Sequence, residues 1–186
     1  MRKQTNSVII VNNIREVNKM TETVIYSANK ETVADWFIQQ SHQTDITITP
    51  KKLQKLLYYA YAWGLVFLNE TSDDLRNKLF DGSFEAWVHG PVDADVYQEY
   101  KKYGYQPIKE PIKNKINIDD ENAEDVISQV WSVYGRFEAD ELEALTHHEE
   151  PWIKARHGLD PLTSTNARLN DEIIFNFYGS KLNQNG

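Results

Sequence analysis

Cysteine is absent from the 186 residues. Disulfides, zinc–thiolate sites, Fe–S clusters and a cysteine nucleophile are thereby excluded. Glycine is scarce, at eight residues, and no G-x-G-x-x-G, P-loop lysine motif or G-x-S-x-G occurs, so neither a phosphate cradle nor a nucleophile elbow is advertised. Basic charge is in deficit: 20 Lys and Arg face 28 Asp and Glu, a formal net charge of -8. Non-specific binding to nucleic acid needs a basic surface, so nucleic acid is not an expected partner. Long apolar runs are missing too. The uncharged stretch Leu56 to Leu68 is shorter than the roughly 17–25 residues of a spanning helix. Val8-Ile9-Ile10-Val11 after Met1-Arg2-Lys3 is too short for a signal-peptide core. The expected compartment is the cytoplasm, with no membrane partner.

What is present fits a folded domain. Hydrophobic residues make up 40% and charged residues 26%, which suits one globular unit with a real core. Residues 1–19 are polar, Asn-rich and weakly patterned, and read as an N-terminal extension or arm. Residues 20–186 read as a single helical domain. The expected fold class is mainly α: a compact bundle of about six or seven helices around a central aromatic helix, with minor extended or β segments.

Periodicity gives the elements. Val33, Ala34, Phe37 and Ile38 share one face of a helix over 30–40. Asp45 to Ile48 alternates briefly, as a short strand or an extended linker. Thr49 is a good N-cap with Pro50 at the first helical position. Leu53, Leu56, Leu57, Ala60, Trp63, Gly64, Phe67 and Leu68 then form an apolar stripe to about residue 69. The other face begins with Lys51, Lys52, Lys55 and Tyr58 and turns apolar. A helix apolar almost all round is buried on several sides. The lysine cluster can contact phosphate and stack a base through Tyr58, but it reads better as the exposed first turn of an amphipathic helix.

Phe84-Glu85-Ala86-Trp87-Val88-His89-Gly90-Pro91-Val92 is the most distinctive stretch. Phe84–Val88 suits a short strand. Gly90 permits a left-handed backbone, Pro91 suits the first turn of a helix over 92–103, and Asp93 and Asp95 complement its dipole. Val96, Tyr97 and Tyr100 are expected inward, with Gly104 as C-cap. Residues 105–118, with Pro107 and Pro111, read as an irregular connection or weak hairpin. Asp119 and Asp120 cap a helix through Phe137. Ala139–Thr146 follows, with Leu142 and Leu145 inward, then Pro151–Arg156 and a last helix, Asn170–Tyr178.

Candidate chemistry is sparse. His147-His148-Glu149-Glu150 is the best metal-ligand run, but adjacent His residues diverge by about 100° on a helix, unlike the four-residue spacing of zinc proteases. The run reads better as a helix C-terminus with His cations on its dipole and acids opening the next helix. Glu85 with Asp93 or Asp95 can form an acid–base pair, or be solvated helix-start carboxylates. No catalytic, cofactor-binding or metal residue is assigned. Some of the five Trp and ten Tyr can anchor a partner, since these types are enriched at binding hot spots.

Two segments carry a resemblance. Lys52-Leu53-Gln54-Lys55-Leu56-Leu57-Tyr58-Tyr59-Ala60-Tyr61-Ala62-Trp63, with Phe84 through Val92 and then Val96-Tyr97, strongly resembles the Panacea domain family, a phage-associated group also described as GepA-like. Leu145-Thr146-His147, Glu149, Pro151-Trp152 and Ala155-Arg156 are similar to that family's second signature. The resemblance spans residues 28–178. It implies an antitoxin of a toxin–antitoxin system, encoded in bacteria and prophages beside an unrelated small toxin that it neutralises by direct contact. It also admits delivery of the toxin to a protease, and implies no catalysis. The family-motif residues, and so the candidate partner contacts, are Lys52, Lys55, Tyr58, Trp87, His89, Gly90, Pro91, Val92, Tyr97, His147, Pro151 and Trp152. Two alternatives stand beside this. One is a metal-dependent hydrolase or nucleic-acid-processing enzyme using His89, Asp93, His147 and Glu149. The other is a phage-encoded regulator of a host protein. Homo-oligomerisation is left open.

Overall fold

The structure is a computed structural model that describes residues 23–112 and 116–184. The proposed arm at residues 1–19 lies outside the described residues, as does 113–115 of the irregular connection. Among the described residues there are seven α-helices and two small sheets. Helix α1 is Lys30–Thr44, α2 Pro50–Leu68, α3 Ala94–Tyr100, α4 Glu121–Tyr134, α5 Ala139–His147, α6 Glu150–Ala155 and α7 Asp171–Gln184. Strand β1 (Ile25–Tyr26) pairs in parallel with β2 (Asn77–Lys78), and β3 (Phe84–Trp87) pairs antiparallel with β4 (Gly90–Asp93).

Helix α2 is the axis. It packs against α1, α4, α5, α7 and β4. Thr49 caps it through the Lys52 N–H, with Pro50 in its first turn. Leu53, Leu56, Leu57, Tyr58, Tyr59, Ala60, Ala62 and Leu65 are all fully buried. Burying rings on both sides of one helix removes a large apolar area from water. Tyr59 stacks on Tyr134 at 4.0 Å, and Tyr58 meets Phe84 edge to face at 5.5 Å.

Several expectations need correction. Pro91 does not open a helix. Trp87 pairs with Gly90 and Ala86 with Pro91, so Val88-His89 is the tip of a two-residue hairpin, the shortest link that joins antiparallel strands. Gly90 makes this possible with φ at +90°. The following helix starts only at Ala94, because Asp93 is its N-cap and accepts from the Asp95 and Val96 amides. The chain over Lys101–Tyr103 tightens to a 3-10 turn. Tyr97 is 37% exposed rather than inward.

Leu145 is exposed, and Thr146 takes the buried position, donating to the Glu143 carbonyl. Helix α4 stops at Tyr134, α1 runs on to Thr44 and α7 on to Gln184. Asp45 is the left-handed C-cap of α1, and Ile46 to Ile48 is a linker without strand pairing.

The largest correction concerns the lysines. Lys52 and Lys55 are buried and not an exposed first turn. Helix α5 and strand β4 close over that part of α2, and the Lys55 amine donates to the Pro91 carbonyl there.

Candidate functional site

The hairpin β3–β4 is locked to α2 by side-chain amides and amines. Gln54 uses both ends of its carboxamide on Asp93: its Nε2 donates to the Asp93 carbonyl at 3.1 Å, and its Oε1 accepts from the Asp93 N–H at 2.8 Å. A side-chain amide thus substitutes for a neighbouring strand and satisfies a buried peptide. One residue on, Lys55 Nζ donates to the Pro91 carbonyl at 2.9 Å. Burial pushes the Lys55 ammonium down to about 7, with the Glu143 carboxylate opposing. Burial likewise lowers Lys52, against the fields of Glu138 and Glu141.

Asp93 is the polar hub of the junction. It caps α3 and takes Lys30 Nζ at 3.0 and 3.1 Å. At Gly90 a Cβ would lie 2.6 Å from Thr146 Oγ1 and 2.8 Å from Lys55 Cε. Gly90, Pro91 and Val92 are therefore buried, gripped between α2 and α5.

The back of the hairpin is held by α6. Trp152 Nε1 donates to the Trp87 carbonyl at 3.0 Å. Arg156 donates to the Ala86 carbonyl from Nη1, and to the Asp160, Pro161 and Thr163 carbonyls from Nη2, while lying 4.8 Å from the Trp152 ring centroid. A rigid guanidinium fork serves four carbonyls as a lysine could not.

His147 stacks on Trp152 at 4.2 Å. Burial pushes its pKa down, so it is not the helix-end cation the sequence suggested. Glu149 precedes α6 but makes no side-chain cap. It turns inward instead, accepting from Tyr178 at 2.6 Å and Lys181 at 3.3 Å, and burial raises its pKa.

On the front lies a groove of about 320 Å³. Trp87 and Tyr97 meet edge to face at 4.9 Å along it, and Tyr100, Tyr105 and Val92 line it too. Trp87 is half-buried and ties its Nε1 to Glu85 at 2.7 Å. At the hairpin tip, His89 is 67% exposed and its Nδ1 lies 3.0 Å from Glu143. Glu143 also holds Lys51 at 2.6 Å, and Lys51 pairs with Asp140 as well. These bonds hold the Glu143 carboxyl below its usual range against the opposing effect of burial, which is the largest single influence.

Of the motif residues, Lys55, Trp87, His89, Val92 and Tyr97 line this one groove. Lys52 and Tyr58 lie in the interior, and His147, Pro151 and Trp152 belong to the layer behind the hairpin. His89, Asp93, His147 and Glu149 each have different partners, and among the described residues no three His, Asp or Glu side chains form a group able to hold a metal. The acid–base pairing of Glu85 with Asp93 or Asp95 also has no support: Glu85 accepts from Trp87, and Lys30 bridges Asp93 to Asp95.

Gln54, Arg156, Glu143 and Lys101 also build the site, outside the candidate residues of the sequence. Gln54 did carry a signal: a polar residue inside a helix apolar almost all round must have a buried partner. Nothing in the spacing connects Glu143 to His89.

The arrangement is that of a small helical domain built around a clamped hairpin. The chain belongs to the family described as Antitoxin SocA-like, Panacea domain, whose pattern matches residues 53–153. The Antitoxin SocA of Caulobacter vibrioides (strain NA1000 / CB15N) is 30% identical over 159 residues, which cover 80% of this chain and 81% of that protein. No solved structure matches. No helix among the described residues is long and apolar enough to cross a membrane.

Proposed function

We propose that this chain is an antitoxin that neutralises a cognate toxin by direct protein–protein binding in the cytoplasm, without catalysis of its own. The observation that carries the reading is membership of the SocA-like family, with a relative named as an antitoxin matching over four-fifths of both chains. The dispersal of His89, Asp93, His147 and Glu149 onto separate partners supports a binding role over the metal-hydrolase alternative. The toxin is the product of a small neighbouring gene, in the prophage setting the family implies. The same contact can present the toxin to a protease, which a shortened toxin half-life in the presence of this chain would register.

The test is co-expression. The adjacent small gene is induced with and without this chain, and the complex is recovered through a tag on this chain. Growth arrest relieved by the chain, together with a stable complex, is the expected result. An adjacent product that is harmless alone and does not bind would remove the reading.

A further inference from the structure

We propose that the groove between the β3–β4 hairpin and α3 is the toxin-docking surface, and that it receives a toxin segment carrying an apolar side chain next to a carboxylate. This rests on the antitoxin reading. The charge pattern selects the occupant. The chain as a whole carries a net charge of -8, yet no Asp or Glu lines this groove, while Lys51, Lys55, His89 and Lys101 do.

The four basic residues are not equivalent. Lys51 is already paired with Glu143 and Asp140, and His89 already has Glu143 as a partner. Lys55 and Lys101 donate only to neutral oxygens, the Pro91 carbonyl and the Gln98 side chain. Lys55 is sealed beneath the surface and biases the floor of the groove. Lys101 stands at its exposed rim, where an incoming carboxylate would complete an ion pair.

The apolar half of the site is aromatic. Tyr97 is 37% and Tyr105 86% exposed, beside the half-buried Trp87. Tyr and Trp supply large, stiff contact area at small entropic cost and dominate binding hot spots. The volume of about 320 Å³ is room for one or two side chains and not for a whole helix. The hairpin clamp formed by Gln54, Lys55 and Arg156 keeps the walls in place, so little ordering remains to offset binding.

The test measures the affinity of the full chain for the purified product of the adjacent small gene. The variants are Lys101→Glu, Lys101→Gln and Tyr97→Ala, with Val133→Arg on the remote exposed face of α4 as a control. Each substituted side chain is exposed, and unchanged thermal melting confirms that the fold is intact. Lys101→Glu and Tyr97→Ala are expected to weaken binding by about tenfold or more. Lys101→Gln should weaken it less, Val133→Arg should bind as the unsubstituted chain does, and affinity should fall as salt rises.

Full affinity in Lys101→Glu and Tyr97→Ala, with the unsubstituted chain binding and rescuing growth, would overturn the groove assignment and leave the antitoxin reading intact. Tighter binding by Lys101→Glu would overturn the acidic occupant. Self-association of the chain alone that these substitutions abolish would put a second copy in the groove and overturn the assignment as well. An unsubstituted chain that neither binds nor rescues would remove the antitoxin reading and this proposal with it.

Discussion

Lys55 Nζ donates to the Pro91 carbonyl at 2.9 Å, and its Cε would stand only 2.8 Å from a Cβ on Gly90. One lysine therefore reads both residues of the Gly-Pro step, accepting the bare backbone of the first and binding the carbonyl of the second. The step is architectural: it fixes where the hairpin meets the central helix, and thereby where the groove opens.

Gly90→Val should unfold the domain or cost about 3 kcal/mol or more, since it combines a forbidden φ with a clash inside a packed layer. Gly90→Ala should cost less, and adding Thr146→Ser should not relieve it, because Thr146 Oγ1 at 2.6 Å is retained. Adding Thr146→Ala should recover part of the loss. Denaturant unfolding of the four variants measures this. A Gly90→Val chain as stable as the unsubstituted one would contradict the clamp.

The buried amine predicts a pH dependence. Lys55 has its folded pKa depressed to about 7, against 10.5 ordinarily. Between these values the unfolded chain binds more protons, so this residue's contribution makes stability rise with pH from about 7 toward 10. Below about 7 both states are protonated and the full cost of burying the charge is present. Lys55→Met lacks this dependence, so its stability relative to the unsubstituted protein should be highest near pH 6 and decline toward pH 9.5. Parallel stability curves would count against a charged, buried Lys55.

How much of this was legible in the sequence follows from what neighbours what along the chain. Helix α2 was readable because Thr49-Pro50 and the stripe from Leu53 to Leu68 are local signals. The hairpin was half-readable: Phe84–Val88 reads as a strand, but the Gly-Pro step reads as the entry to a helix, since a proline after glycine fits a helix start as well as a strand. Only the pairing of Ala86 with Pro91 decides between them. The burial of Lys52 and Lys55 was not legible. A lysine triad near a helix start looks solvated until α5 and β4, brought in from more than thirty residues away, cover it. The groove combines 50–55, 87–92 and 97–105, so its residues could be named individually but not as one surface.

Asp93→Ala removes the cap of α3 and leaves Lys30, with a side chain 12% exposed, without its buried partner. A loss of about 2–4 kcal/mol is expected, from the lost cap and from Lys30 being left with only the exposed Asp95. Asp93→Asn keeps a capping oxygen and should cost less. Equal loss in both variants, by chemical denaturation, would show that the charge pair and not the cap carries the effect.

Arg156→Lys should detach the segment from Asp160 to Thr163, since one ammonium cannot reach four carbonyls. The expected cost is about 2–3 kcal/mol. Hydrogen exchange should rise in residues 157–166 before it rises in α2. Unchanged exchange there would mean that the loop is held by other contacts.

Glu149 has its pKa raised by burial, so its charged form is the costly one in the folded state. The sign follows from linkage. The folded state holds this proton more tightly, so the residue's contribution to stability falls as pH rises from about the ordinary 4.5 through the raised folded value. Glu149→Gln keeps an acceptor for Tyr178 and should gain stability relative to the unsubstituted protein between pH 4.5 and neutrality. A relative stability that does not vary with pH would indicate that Lys181 fully compensates the buried charge.

The most direct test of the central claim is growth rescue. The small gene adjacent to this one is induced in cells with or without the intact chain, and the tagged chain is then purified. Arrest in its absence, growth in its presence and co-purification of the small protein are the predicted results. Arrest that persists with the chain present, and no small protein on the tag, would contradict the antitoxin function.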